Sequence, residues 1–267
     1  MIEFLNELKN RNESLFYFGL ICFIFSLLFL VFTKTTNTTV MGVNAWFKPF
    51  KFAFSIFTFV WTMAWYCSYL PNFNSKLFSF SMIILLGFEI IYIAIQAGRG
   101  QLSHFNISSG FYTTMYSLMA IAATLVTLYT AYVGVLFFKN SFLNLPSYYV
   151  WAIRLGIVVF VIFSFQGFTM GTKLNHSVGA INDNSNWFIV GWSKTVGDLR
   201  VAHFIGMHAL QLLPICSFYI LKSLKSTIVF FVIYLLLAMF TFFQALKGKP
   251  LLSVNIFKKD SLNTPTK

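Results

Sequence analysis

Long uninterrupted stretches of apolar residues alternate with short polar segments along almost the whole chain. A run of about 18 apolar residues is long enough to cross the hydrocarbon layer of a membrane as an α-helix, which satisfies its own backbone hydrogen bonds. The sequence therefore predicts an all-α membrane protein with seven transmembrane helices within residues 1–246. The predicted spans lie at about 15–33, 52–70, 77–98, 111–138, 148–171, 201–221 and 227–246.

The composition and the charge narrow the range of partners. Hydrophobic residues make up 58% of the chain and charged residues only 10%, a balance far from that of soluble domains. The expected partner is therefore the lipid bilayer. The formal net charge of +12 is spread over loops and a basic C-terminal tail at residues 247–267, which is expected to be flexible. Because no soluble basic domain presents this charge, the sequence predicts no binding to nucleic acid.

The basic residues are divided unequally between the two membrane faces. Face A holds the N-terminus and the loops 71–76, 139–146 and 222–226. Face B holds the tail and the loops 34–51, 99–110 and 172–200, and it carries the larger share of lysine and arginine. Because basic loops tend to remain in the cytoplasm, face B is predicted to be cytoplasmic.

The ends of two predicted spans resemble each other. Gln-Ala-Gly-Arg-Gly at 96–100 ends the third span, and Gln-Ala-Leu-Lys-Gly at 244–248 ends the seventh. One interpretation is a parallel internal repeat of three helices, one linking helix and three helices. The alternative is ordinary helix capping, because a cation in the last turn and a glycine just after it suit any helix end. Both interpretations remain open at the level of sequence.

A stripe of polar side chains in the third span indicates an internal site. Glu89 is the only carboxylate in a predicted span, and placing such a charge at the bilayer centre costs about 2.5–3.5 kcal/mol on insertion scales. It should therefore face the helix bundle. Tyr92, Gln96 and Arg99 follow Glu89 at spacings of three and four residues, which put all four on one helix face. The alternative is a hydrogen-bonding stripe that only fixes helix packing.

A second group of polar residues lies in and just before the sixth span. Arg200, His203, Met207 and Gln211 repeat this spacing of three and four residues and share one face. His208 lies about 140° from His203 around the helix. This spacing differs from that of an HExxH zinc motif. By helical rise, His208 and Glu89 lie at similar depths below face B. They are therefore predicted to approach each other across adjoining helices.

Four cations on face B favour an anionic ligand. Lys48 and Lys51 lie one turn apart at the start of the second span, and Arg99 and Arg200 belong to the same face. Arginine offers paired donors suited to a carboxylate or phosphate, so the two arginines are predicted to converge on the mouth of a cavity. The alternative makes the lysines snorkelling side chains and Arg200 the local partner of Asp198, the expected N-cap.

The histidines provide a different candidate chemistry. His104, His203 and His208 are all predicted in the half of the bundle near face B. Imidazole is the commonest metal ligand in proteins, so these residues are candidate ligands for a transition metal or haem. Isolated hydrogen-bonding histidines explain the same pattern, and nothing in the sequence requires a cofactor.

Three strings carry a resemblance to a known group of proteins. They are Trp-Phe-Lys-Pro-Phe-Lys-Phe at 46–52, Arg-Gly-Gln-Leu-Ser-His-Phe-Asn at 99–106, and the segment 191–211 with Gly-Asp-Leu-Arg-Val-Ala-His-Phe at its centre. The chain resembles, over most of its length, a bacterial family of seven-helix integral membrane proteins with no established activity. The resemblance implies a multi-pass protein of the bacterial inner membrane and implies no reaction.

Together these features favour a membrane protein that binds or moves a small polar or anionic molecule. The predicted path is an internal cavity lined by glutamate, histidine and arginine side chains. A membrane-embedded enzyme that uses a metal or haem is the main alternative, and a structural or sensory membrane subunit is another. Metal analysis and an optical spectrum of the purified protein would separate the first two.

Overall fold

Eight α-helices and four short β-strands make up the part of the chain that the computed structural model describes, residues 2–179, 186–187 and 190–252. The helices are α1 (Ile2–Arg11), α2 (Glu13–Thr35), α3 (Phe47–Cys67), α4 (Ser75–Gly98), α5 (Gly110–Lys139), α6 (Ser147–Thr172), α7 (Leu199–Cys216) and α8 (Leu224–Leu246), and a π-helical turn at Ser217–Leu221 follows α7. The strands are β1 (Thr39–Val40), β2 (Val43–Asn44), β3 (Ser177–Val178) and β4 (Gly197–Asp198). The predicted tail lies outside the described residues from position 253 onward.

Six of the described helices are long and apolar enough to cross a membrane, namely α2, α4, α5, α6, α8 and α7 with its π-helical turn. The prediction of an all-α membrane bundle is confirmed at this level. Helix α3 covers the remaining predicted span but is less apolar, because its 21 residues include two lysines, two tryptophans and a tyrosine. It begins at Phe47 rather than at residue 52, since Pro49 fits the first turn of a helix, where its missing amide is not needed.

Helix α1 is a short element that the hydrophobic pattern does not predict. Its last residue, Arg11, places its guanidinium 4.0 Å from the ring centroid of Trp65 and 4.8 Å from that of Tyr69. The same side chain donates a 2.7 Å hydrogen bond to Glu7 one turn earlier. Each cation–π contact contributes about 0.5–1 kcal/mol at an exposed site. Helix α1 is thus held against the end of α3 by side-chain contacts.

Glycines set the closest helix contacts. A side chain at Gly206 of α7 would overlap the ring of Phe163 in α6, and one at Gly19 of α2 would overlap the ring of Trp61 in α3. Small residues let membrane helices approach closely, and α2–α3 and α6–α7 are the most extensive helix pairs of the described bundle. Helix α5 packs on α4 and on α6, so it joins the group α2–α4 to the group α6–α8.

A proline interrupts the hydrogen bonding of α7 near its end. Pro214 has no amide hydrogen, so the carbonyl of Leu210 one turn earlier lacks its usual donor. The hydroxyl of Tyr66 in α3 supplies the missing bond, donating to that carbonyl at 2.9 Å. This buried tyrosine ties α3 to α7.

Two short antiparallel strand pairs, called hairpins below, precede two of the helices in stretches where the sequence predicts loops. Two residues join β1 to β2, whereas residues 179–196 join β3 to β4. Strands β1 and β2 pair antiparallel directly before α3, and strands β3 and β4 pair antiparallel directly before α7. In the first hairpin Thr39 lies opposite Asn44, and in the second Ser177 lies opposite Asp198. Each hairpin therefore fixes the first turn of the helix that follows it.

Candidate functional site

Charged side chains converge where α3 and α7 begin. Lys48 and Lys51 occupy the first turns of α3, and Arg200 occupies the first turn of α7. Each lysine lies close enough to Arg200 to be repelled by its charge. Because a hairpin orients the start of each helix, the three cations are held near one another; they are called the basic cluster below. Lys48, Lys51 and Arg200 thus come together as the sequence predicts for face B.

Asp198 is the acceptor around which this end of the bundle is organised. Its side chain is fully buried at 0% exposure. Oδ1 accepts hydrogen bonds from the backbone amide of Arg200 at 3.1 Å and from its Nε at 2.9 Å. Oδ2 accepts from Nη2 of Arg200 at 2.6 Å and from the backbone amide of Ser193 at 3.0 Å. Burial would raise the pKa of Asp198, but the hydrogen bonds and charge of Arg200 lower it below its ordinary value. The predicted N-cap role of Asp198 is confirmed.

The remaining donors of the basic cluster reach backbone carbonyls of the preceding loop. Nη2 of Arg200 also donates to the carbonyl of Gly191. Nζ of Lys51 donates to the carbonyl of Val190 at 2.9 Å. Neutral carbonyls satisfy hydrogen bonds but carry no full negative charge. The lysine charges are therefore solvated by dipoles and are not neutralised by these contacts.

Lys48 has a partner that the sequence does not predict. Its Nζ lies 3.1 Å from Nδ1 of His104 in the loop between α4 and α5. Burial, together with the charge of Lys48, lowers the pKa of His104 well below its usual range. His104 is therefore neutral, its Nδ1 accepts from the ammonium group, and its hydrogen is carried by Nε2. The spacing of 56 residues between the two makes this contact invisible to local sequence patterns.

The polar stripe of α4 faces the protein interior, as predicted. Glu89 is 7% exposed, Tyr92 is 6% exposed and Gln96 is fully buried. Nε2 of Gln96 donates to the hydroxyl of Tyr92 at 3.0 Å and is 3.4 Å from the carbonyl of Leu102. Arg99 differs from these residues, because it follows the last residue of α4 and is exposed. The predicted convergence of Arg99 with Arg200 stays a prediction, because no described contact joins the two.

The polar residues inside α7 serve local contacts. Nδ1 of His203 donates a 2.7 Å hydrogen bond to the carbonyl of Phe163 in α6. The ring of His208 packs on that of Phe204, with centroids 4.4 Å apart. Gln211 is half-buried near His208, and its Oε1 has no hydrogen-bond partner among the described residues. The contact of His203 holds α7 against α6, and the contact of His208 lies within α7.

The predicted pairing of Glu89 with His208 is wrong. Helix α4 packs mainly on α5, α3 and α2, whereas α7 packs mainly on α6, α8 and α3. Helix α3 contacts both and carries Lys48, which is the charged group that interacts with Glu89. Matched depth in the membrane is therefore not sufficient for contact, because the two helices occupy different sectors of the bundle.

The three candidate metal ligands do not assemble. His104 is bound to Lys48, and His203 is bound to a backbone carbonyl. Within the described parts of the chain, no group of three or more histidine, cysteine, aspartate or glutamate side chains is arranged to hold a metal ion. The predicted set of His104, His203 and His208 is therefore not supported as a metal or haem site.

His176 makes the stability of this region sensitive to acid. Burial and the charge of Arg200 lower the pKa of His176 to about 4, although Asp198, 3.9 Å away, favours protonation. An unfolded histidine has a pKa of about 6.5. As the pH falls from about 6.5 to about 4, the unfolded chain binds a proton that the folded protein does not, so stability declines over that window. We expect a flatter profile of melting temperature against pH for His176→Asn; an unchanged slope would contradict this.

Comparison of the chain with protein-family models, with curated proteins and with solved structures finds no match. The chemistry of the site is nevertheless specific. Two lysines and an arginine lie within electrostatic range of one another, and the nearby Asp198 is already bonded to the arginine. Such an arrangement is suited to binding negative charge.

Proposed function

We propose that the protein is a seven-span membrane protein that binds a small anion at the basic cluster as a step in moving it. The observation that carries the proposal is a local excess of positive charge. Arg200 uses both oxygens of Asp198, so the charges of Lys48 and Lys51 repel each other and Arg200. An anion placed among them would remove that repulsion and accept charge-assisted hydrogen bonds.

Helix α3 supplies the seventh span in this proposal. At 1.5 Å per residue, its length is about 31 Å, comparable with the hydrocarbon thickness of a membrane. It packs along α2 and α4, each of which is apolar enough to cross a membrane by itself. The lysines that reduce its apolar character lie in its first turns, where long side chains reach the membrane surface.

The two hairpins support the 3+1+3 internal repeat. In the first, the backbone of Ala45 donates to the carbonyl of Thr38 at 2.9 Å, and in the second the backbone of Leu199 donates to that of His176 at 2.9 Å. Asn44 accepts from the amide two residues later at 3.0 Å, as Asp198 does at 3.1 Å. A strand pair, a side chain that accepts from the amide two residues later, and a helix thus follow in the same order in both halves, although only Asp198 is the N-cap of its helix.

The ends of α4 and α8 support the same conclusion. Gly100 and Gly248 follow these helices with φ angles of 65° and 71°. Gln96 directs its amide to the carbonyl of Leu102, and Gln244 directs its amide to the carbonyl of Pro250, so each glutamine reaches six residues ahead. Helix capping alone accounts for the glycines. It does not account for the matching glutamine contacts.

A parallel repeat explains why the cluster lies where it does. Equivalent helices α3 and α7 then begin on the same face and meet near the pseudo-symmetry axis. Duplicated transporters bind their substrates at the interface between repeats. The basic cluster draws Lys48 and Lys51 from one repeat and Arg200 from the other. The proposal includes the predicted bacterial inner-membrane location, with face B in the cytoplasm.

Sulfate and succinate are suitable probes, because both are small dianions. At constant ionic strength, we expect at least one of them to raise the melting temperature of the purified protein, because a ligand that binds only the native state stabilises it. In Lys48→Gln and Lys51→Gln, we expect about tenfold weaker binding, equivalent to about 1.4 kcal/mol. Scanning fluorimetry across a titration of each anion provides the measurement.

Lys76→Gln is the matched control, since Lys76 is exposed at the start of α4, at the opposite end of the bundle. It should bind as the wild type does. If neither anion stabilises the wild type, the proposed function is wrong. It is also wrong if all three lysine variants bind equally well, because the anion would then lie elsewhere.

A further inference from the structure

Glu89 is a buried carboxylate with one charged neighbour. In the described part of the chain it forms no hydrogen bond and no ion pair, and Lys48 is the charged group that interacts with it. Helices α2 and α5, which also pack on α4, contribute no charged group that interacts with it. A buried carboxylate that loses its counter-charge takes up a proton, because burial disfavours the charged form.

Lys48 has competing partners. The structure shows its ammonium bound to His104 at 3.1 Å, within electrostatic range of Glu89 but beyond ion-pair distance. The other charges near it are positive, from Lys51 and Arg200. Among these groups, Glu89 and an incoming anion are the two that could neutralise the ammonium. One ammonium group cannot neutralise both negative charges fully.

From this competition we propose that Lys48 couples the binding of an anion at the basic cluster to the protonation of Glu89. The inference rests on the proposed function and adds proton coupling to it. Without an anion, the ammonium of Lys48 turns towards the carboxylate of Glu89 and keeps it ionised. When an anion binds, Lys48 turns towards it, and Glu89 forms an O–H bond with a proton taken from solvent. One proton therefore enters with each anion.

His104 supports this exchange geometrically. Its neutral Nδ1 accepts from Lys48 in the observed conformation, so the ammonium has a defined hydrogen-bond partner when it is away from Glu89. In the observed arrangement Lys48 lies beyond ion-pair distance of Glu89 and is held by His104. His104, His176, Lys51 and Lys48 itself are the other titratable groups here that could take up a proton instead. The experiment must separate them from Glu89.

Proton uptake can be counted by titrating the full-length protein with sulfate and with succinate in a calorimeter, in buffers that differ in ionisation heat. We expect the wild type to take up about one proton per anion near neutral pH. Glu89→Gln should still bind the anion and should take up none. Glu13→Gln, which alters an exposed carboxylate at the start of α2, should behave as the wild type does. Melting temperatures would confirm that the variants are folded.

The failures of the two proposals are distinguishable. If the wild type binds an anion without proton uptake, the coupling is wrong and the anion site stands. If Glu89→Gln binds with the same uptake as the wild type, the proton goes to another group, and the role assigned to Glu89 is wrong. If neither anion binds the wild type, the proposed function fails and the coupling fails with it.

Discussion

Asp198→Ala is expected to lower the free energy of unfolding by about 3–5 kcal/mol, the largest effect of a single substitution in this end of the protein. The change removes the acceptor of the amide that starts α7 and leaves the guanidinium of Arg200 without its ionic partner. It also leaves the backbone of Ser193 without an acceptor. Denaturation of the purified protein in mixed micelles provides the measurement.

Two further variants separate the parts of this effect. Asp198→Asn keeps an oxygen for the helix cap but loses the charge, so it should be less destabilising than alanine. Glu7→Ala breaks the pair with Arg11 in α1, where the glutamate side chain is 50% exposed, and exposed pairs contribute about 0–1 kcal/mol. An Asp198→Ala protein as stable as Glu7→Ala would show that this buried contact does not hold the hairpin to α7.

The helices and the burial of Glu89 could be predicted from the sequence, because both follow from the cost of placing polar groups in lipid. A helix is the simplest way to satisfy the backbone of a continuous apolar run. The same cost forces Glu89 inward whatever the arrangement of the helices. These predictions depend on local sequence and solvent alone, so they can be made without knowing the tertiary structure.

The partners of the site residues could not be predicted in the same way. The bond between Lys48 and His104 depends on how the loop after α4 returns over α3, and no periodicity encodes that path. Equal depth suggested a contact between Glu89 and His208. Depth gives the position along the membrane normal only, whereas contact also requires that the two helices be neighbours in the membrane plane. The hairpins consist of strands of two residues each, too short for an alternating pattern to appear.

The far end of the α3–α7 contact provides a second test, of how these two helices are joined. Tyr66→Phe removes the hydroxyl that donates to the carbonyl of Leu210, and Pro214 cannot replace that donor. A buried carbonyl left without a partner costs about 1–3 kcal/mol. We expect a loss of unfolding free energy of this size. Because an amide at position 214 could bond the same carbonyl, the loss should become much smaller in a Pro214→Ala background.

A double-mutant cycle measures this dependence directly. The predicted coupling energy between the substitutions at Tyr66 and Pro214 is about 1–2 kcal/mol, within the range found for residues that share a hydrogen-bond network. Tyr234→Phe is the matched control. The hydroxyl of Tyr234 in α8 donates at 2.6 Å to the carbonyl of Ile205, which lies in α7 as Leu210 does. That carbonyl faces an alanine amide one turn later, so its loss should be smaller and independent of Pro214. Equal losses for the two tyrosines, with no coupling to Pro214, would mean that Tyr66 acts by packing alone. A strong coupling would instead mean that α3 completes the hydrogen bonding of α7. Any movement between these two helices would then have to break this bond at one end while the basic cluster rearranges at the other.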